Sequence, residues 1–224
     1  MTIKRFCCLL FVISMTTSVH SQDRGLFSLD EWEKANTAAG ADYLSTEEKE
    51  VFRYLNLART DGEKFFDSFL EIYIRDNNDL YSEKIDSKNS YLISLKKDLN
   101  KINGLQLIFP DKRLFKAAEY HANDMGKMGT TGHNSSDGSG FFDRMRKLMG
   151  TEYYLSENCS YGYGNALDIV CNLLLDNGIP SLGHRKNILN PEQNMAGISI
   201  RPHTVYETNC VIDFYCGPEG FLKK

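Results

Sequence analysis

Two histidines each follow a glycine, at Gly132-His133 and Gly183-His184, in segments that read as a loop or a loop edge. Glycine lets the backbone turn sharply and leaves an imidazole room to approach a shared cleft. A histidine beside glycine can equally be a loop hydrogen-bonding residue, and the chain lacks the H-E-x-x-H spacing by which one helix supplies two zinc ligands. Glu157 has apolar neighbours in Tyr153, Tyr154 and Leu155, a setting that suits a functional carboxylate or an ordinary surface one. Asp176 continues the apolar face of a helix into its last turn, where a negative charge opposes the helix dipole by roughly several tenths of a kcal/mol. A cation, an arginine or a protonated histidine would offset that cost, as would capping by its own side chain. His121 falls on the buried stripe of a long helix and reads as a core histidine.

The elements that must position these residues are legible from caps and periodicity. Ser45-Thr46-Glu47-Glu48 is a capping box, and Val51, Leu55 and Ala58 follow at helical spacing, predicting a helix over 46–59. Phe65, Phe66, Phe69, Leu70 and Tyr73 suit a second short helix. Residues 75–90 read as a solvated loop, followed by a third helix near 92–102. From Pro110-Asp111, the residues Leu114, Ala117, Ala118, His121, Met125 and Met128 repeat at steps of three and four, predicting an amphipathic helix that ends near Gly129. A Gly/Ser-rich loop over 129–140 carries His133, and Phe141 to Met149 can form a short helix. Ala166, Ile169, Leu173 and Asp176 share a helical face closed by Asn177-Gly178. Strands are expected at 196–200 and 209–216, with a turn at Pro202-His203. Helices come first and the strands late, without regular alternation, which favours an α+β arrangement with an antiparallel sheet.

The ends and the charge balance narrow the class. Lys4 and Arg5 followed by an apolar stretch from Phe6 to Met15 read as a secretory signal over 1–21, cleaved after Ser21; at about ten residues the stretch is too short to span a bilayer. Residues 22–44 then form a leader that packs on the domain or links to it, and 45–224 form a single domain. The formal net charge is −4, and loss of Lys4 and Arg5 makes it −6, which disfavours a nucleic-acid or anionic-membrane partner. No later apolar run could anchor the mature chain in a membrane, so it is expected to be secreted or periplasmic. Four cysteines remain, Cys159, Cys171, Cys210 and Cys216. Export permits disulfides, and the last two would lie about 20 Å apart along one strand. The expectation is at least one bridge from Cys159 or Cys171 to Cys210 or Cys216.

Five motifs in order, Asn56-Leu57-Ala58-Arg59, the run from Ala117-Ala118 through His121-Ala122 to Asp124-Met125, Gly132-His133, Glu157-Asn158, and Gly183-His184-Arg185-Lys186-Asn187-Ile188-Leu189, resemble the bacterial branch of the CAP superfamily over about 165 residues. That resemblance implies a three-layer α-β-α sandwich with a mainly antiparallel central sheet. It also implies a cleft carrying two histidines and two acids that binds a divalent metal in some relatives. By position these are His133, Glu157 and His184, with Asp176 where relatives commonly have glutamate, and the implied metal set is His133, His184 and Glu157 with zinc. His121 matches a helix position outside the cleft. The function implied is a secreted module that binds a small hydrophobic ligand or an envelope component. The alternative is a zinc-dependent hydrolase in which two histidines hold zinc, an open position takes water and Glu157 is the general base. Against the alternative, the sequence holds no nucleophile elbow.

Overall fold

In the computed structural model, which describes residues 24–80, 84–150 and 155–217, the chain enters its fold through α1, Leu29–Ala35. The expected signal segment lies outside the described residues. Phe27, Trp32, Ala35, Ala38, Ala41 and Leu44 are buried in the main core, so residues 27–44 pack on the domain. Helix α2, Thr46–Thr60, starts as its capping box predicts: Ser45 Oγ accepts the Glu48 N–H, and Glu48 Oε2 accepts the Ser45 N–H. Glu48 does more than cap, since its Oε1 accepts the Ile200 N–H at 2.9 Å and pairs with Arg201. The aromatic cluster after Asp61 is buried on α3, Gly62–Phe65, a π-helical segment, Phe66–Leu70, and α4, Glu71–Leu80. Residues 75–80 are therefore helical, where the polar sequence reads as loop. Helix α5, Ser90–Leu99, is capped by Asn89.

Strand β1, Phe109–Pro110, leads into α6, Lys112–Met128, which begins at the Asp111 cap and ends at Gly129 with φ 68°, a left-handed turn that suits glycine. Helix α7, Phe141–Met149, and β2, Leu155–Tyr161, follow, then α8, Ala166–Leu175, α9, Gly183–Ile188, β3, Met195–His203, and β4, Glu207–Tyr215. Strand β3 runs through the turn expected at Pro202-His203, and the chain reverses at residues 204–206 instead.

The sheet order is β1-β3-β4-β2. The β2–β4 and β3–β4 pairs are antiparallel and the short β1–β3 pair is parallel, so the sheet is mixed. Alternation along the strands divides the core into two layers. Ile198, Cys210, Ile212 and Phe214 face the α2–α8 side, while Val211 and Cys159 face α6. This is the expected α-β-α sandwich. Helix α6 sits so close to β3 that a Cβ on Gly197 would meet the Leu114 carbonyl carbon at 2.0 Å, and one on Gly126 would meet the Pro202 oxygen at 2.1 Å. Among the described residues no helix is long and apolar enough to cross a membrane.

The disulfide expectation is corrected by the structure. Cys159, Cys171, Cys210 and Cys216 are all free thiols. Cys159 opposes Val211 on the α6 face, whereas Cys210, opposite Ser160, shares the other core with Cys171. Cys216 lies beyond the far end of β4.

Candidate functional site

Strand β2 is an edge strand, and its alternation sends Glu157 to the α6 face and Asn158 to the opposite one. One histidine is organised on each side. On the α6 side, His133 Nδ1 meets Glu157 Oε1 at 2.8 Å. Arg144 of α7 holds the other Glu157 oxygen at 2.6 Å and donates to the His133 carbonyl and to Ser135 Oγ. The Glu157 side chain is 1% exposed and the His133 side chain 53%. Burial pushes the Glu157 pKa up, but the His133 hydrogen bond, Arg144 and His121 outweigh it, and the carboxyl lies below its usual range.

On the other side, Asp176 caps α8 with φ 55°, so the cap expected at Asn177-Gly178 falls on the acid itself. Its Oδ1 accepts from His184 Nδ1 at 2.6 Å, and its Oδ2 accepts the Arg185 N–H at the start of α9. Histidine and a helix amide are thus the partners that Asp176 requires at a helix C-terminus. The buried Arg185 guanidinium fastens this corner by donating to the Leu174, Leu175 and Tyr91 carbonyls and pairing with Asp98. Asn158 ties it to β2, since its Nδ2 donates to the His184 carbonyl and its Oδ1 accepts from Asn187.

His121 is fully buried, with Nε2 on the Gly132 carbonyl at 2.9 Å and Nδ1 on Ser135 Oγ at 3.3 Å. It packs beneath the candidate site, 4.0 Å from Glu157. Desolvation lowers its pKa and keeps it neutral, opposed by the Glu157 charge. His203 likewise spends Nε2 on the Thr130 carbonyl and Nδ1 on the Val205 and Tyr206 amides. Of the four described histidines, only His133 and His184 keep Nε2 free of protein hydrogen bonds.

Each of these two lines its own groove. One of about 460 Å3 holds His133 and Glu157 beside Phe141, Phe142 and Leu155; another of about 220 Å3 holds His184 and Asp176 beside Cys159, Tyr161 and Asn172. The structure therefore joins His133 to Glu157 and His184 to Asp176, as two pairs flanking an edge strand, and Cys159 adjoins both: its Sγ lies 3.9 Å from His133 Nδ1 and it lines the His184 groove. His121, Glu157 and Cys159 also bring one potential ligand atom each within 4.8 Å, but Arg144 and the two bonds of His121 already occupy that cluster.

Two residues at the site were not among those singled out in the sequence. Arg144 lies on the inward stripe of α7 with Phe141 and Met145, and a charge on an apolar stripe was its signal. Asp213 opposes Glu157 across the β2–β4 pair, is fully buried, and has no donor at either oxygen, so that a hydrogen bond between the two acids requires a proton on one of them. Its burial, together with the Glu157 charge, pushes its pKa well up and keeps it protonated. Alternation with Val211 marks it as an inward-facing acid.

The model of the cysteine-rich secretory protein family, CAP, matches residues 52–214. The chain belongs to the CAP family. Its solved structural neighbours include an extracellular protein containing an SCP domain from Bacillus anthracis, 20% identical, with a TM-score of 0.42 over 66% of this chain and 41% of that one. An outer surface protein of Borrelia burgdorferi is 24% identical, with a TM-score of 0.41 over 60% of this chain and 98% of that one. The CAP domain of enterococcal PrgA is 17% identical, with a TM-score of 0.35 over 84% and 88%. No curated protein sequence matches. The CAP match spans every residue of the two pairs, together with Arg144 and Asp213.

Proposed function

We propose that this CAP chain is an exported ligand-binding or interaction module in which His133 and His184 take a divalent metal, zinc by its donor preference, through their Nε2 atoms. The observation that carries the reading is the contrast among the histidines. His121 and His203 have both nitrogens engaged, whereas His133 and His184 are each held at Nδ1 by a carboxylate, leaving Nε2 free. A carboxylate at the second nitrogen fixes the tautomer and orientation of a metal-binding imidazole and raises its basicity. In this reading Glu157 and Asp176 support the ligands and do not bind the ion themselves, since Glu157 already spends both oxygens on His133 and Arg144. A bound zinc would act as a Lewis acid or hold a ligand donor atom. The apolar side of the larger groove, formed by Phe141, Phe142 and Leu155, suits a small hydrophobic ligand or an apolar part of an envelope component.

The hydrolase alternative needs a general base with a free oxygen in reach of water. Glu157, buried and doubly engaged, does not offer one, so the binding-module reading is favoured. Export rests on the signal-like segment at 1–21, and mass spectrometry of the exported chain should find its start at Gln22. Zinc-edge anomalous scattering from crystals of the purified protein tests the site: density against His133 and His184 supports the reading, and density elsewhere refutes it. Zinc-dependent peptide or ester turnover would favour the alternative.

A further inference from the structure

A groove of about 360 Å3 lies between α6 and α7, contains neither histidine, and is within the range of small-molecule pockets. We propose that it binds a small organic monoanion with a flat apolar body, at a site separate from the histidine pairs. Lys116 and Tyr120 stand one turn apart on α6, and Lys147 and Leu148 face them from α7. The charges on the walls are unevenly committed. Asp143 accepts the Gly140 N–H at 3.1 Å and pairs with Arg146, and Asp137 accepts from the Ser139 amide and hydroxyl and from the Tyr120 hydroxyl. Lys116 and Lys147 make no hydrogen bond or ion pair within the described residues, although Lys147 lies near enough to Asp137 to help keep it ionised. Arg144 closes the groove from below and is 3% exposed, with an Nε that has no partner. The wall charges without a hydrogen bond or ion pair are therefore the two ammonium groups, of which Lys147 also faces the Asp137 charge and Lys116 does not.

The apolar part of the occupant follows from the other two walls. Tyr120 is 48% exposed and Leu148 40%, so a ring and an aliphatic side chain flank the two ammonium groups without being covered by protein. A carboxylate or sulfonate placed between Lys116 and Lys147 would set an attached aromatic body against both. Charge complementarity selects the anion, and burial of Tyr120 and Leu148 adds affinity in proportion to the apolar area covered.

The test is a fluorescence titration of the full chain with 1-anilinonaphthalene-8-sulfonate and with its neutral analogue N-phenyl-1-naphthylamine, which lacks the sulfonate. The expected result is one saturable site, with the anion bound roughly tenfold more tightly than the neutral compound, and more weakly as salt rises. Lys116→Gln and Lys147→Gln should each weaken the anion by roughly threefold to fivefold and leave the neutral compound unchanged. Circular dichroism checks that both variants keep the fold. Equal affinity for the two compounds, no saturable binding, or an anion affinity unaffected by both lysine variants would each overturn the proposal. Zinc binding is measured in parallel and should be the same in both variants, so this site and the histidine pairs stand or fall separately.

Discussion

Asp213 and Glu157 oppose one another across a strand pair with one proton between two acids, and stability should report it. The Asp213 pKa is raised, so the native state keeps a proton that the unfolded chain releases. This destabilises the fold as pH rises above the usual aspartate value near 3.8, up to the raised native value. Asp213→Asn removes that cost and supplies N–H donors facing the Glu157 carboxylate. The variant should be more stable than wild type at pH 7 by on the order of 1 kcal/mol, with the gain shrinking toward pH 4. Chemical denaturation at both pH values checks this, and a variant less stable than wild type at pH 7 would contradict it. Glu157→Gln has the opposite outcome, because it leaves the buried Arg144 without its counter-charge and should cost about 3–5 kcal/mol. His121 has a lowered native pKa, so its contribution is present above the unfolded value near 6.5 and is lost as pH falls below it. His121→Ala should lower stability at neutral pH and flatten that acid limb without removing zinc binding.

Two glycines let α6 lie on β3, and the site depends on that approach. Gly197→Ala places a methyl in the α6 backbone and Gly126→Ala places one in the Pro202 carbonyl, where no flexible side chain can give way. Each should cost about 2 kcal/mol or more by overpacking, read as a drop in Tm, and lift the helix that carries His121 beneath the site. Helix ends were plain in the sequence because capping is local chemistry: Ser45 with Glu48 and Asp111 at two starts, and Gly129 at the end of α6, all perform as their residue types imply. The continuation of α4 through 75–80 was hidden because its polar residues are solvated helix, which has no periodic apolar face. The Asp176 cap was hidden for another reason. Non-glycine residues seldom take positive φ, and here the cost is offset by His184 and the Arg185 amide, partners eight and nine residues away.

At the scale of the whole molecule, the motif Asn56-Leu57-Ala58-Arg59 proves to be scaffolding. Asn56 bonds the Ala35 and Ile108 carbonyls, and Arg59 donates to those of Ile188, Asn190 and Gln193, anchoring the segment that follows His184. The residue types of both pairs could be read from the sequence. Their grouping into two pairs that flank the edge strand β2, with Cys159 beside both, could not, because it depends on strand register. Cysteine pairing was misread: export permits bridges, but the sheet separates Cys159 from Cys210, and Cys171 and Cys210, although they share a core, are both free. Thiol titration of the native protein should modify Cys216, which is partly exposed, and leave the three buried thiols, whose pKa values burial raises, until the chain unfolds. The central claim is that His133 and His184 hold the metal, and calorimetric titration with zinc at neutral and mildly acidic pH tests it most directly. Wild type should bind one ion at neutral pH and bind it more weakly in mild acid, where protons compete with the metal for its ligands, while His133→Ala and His184→Ala should each cost about tenfold or more. Absent zinc uptake, or equal affinity in both variants and wild type, would contradict the account.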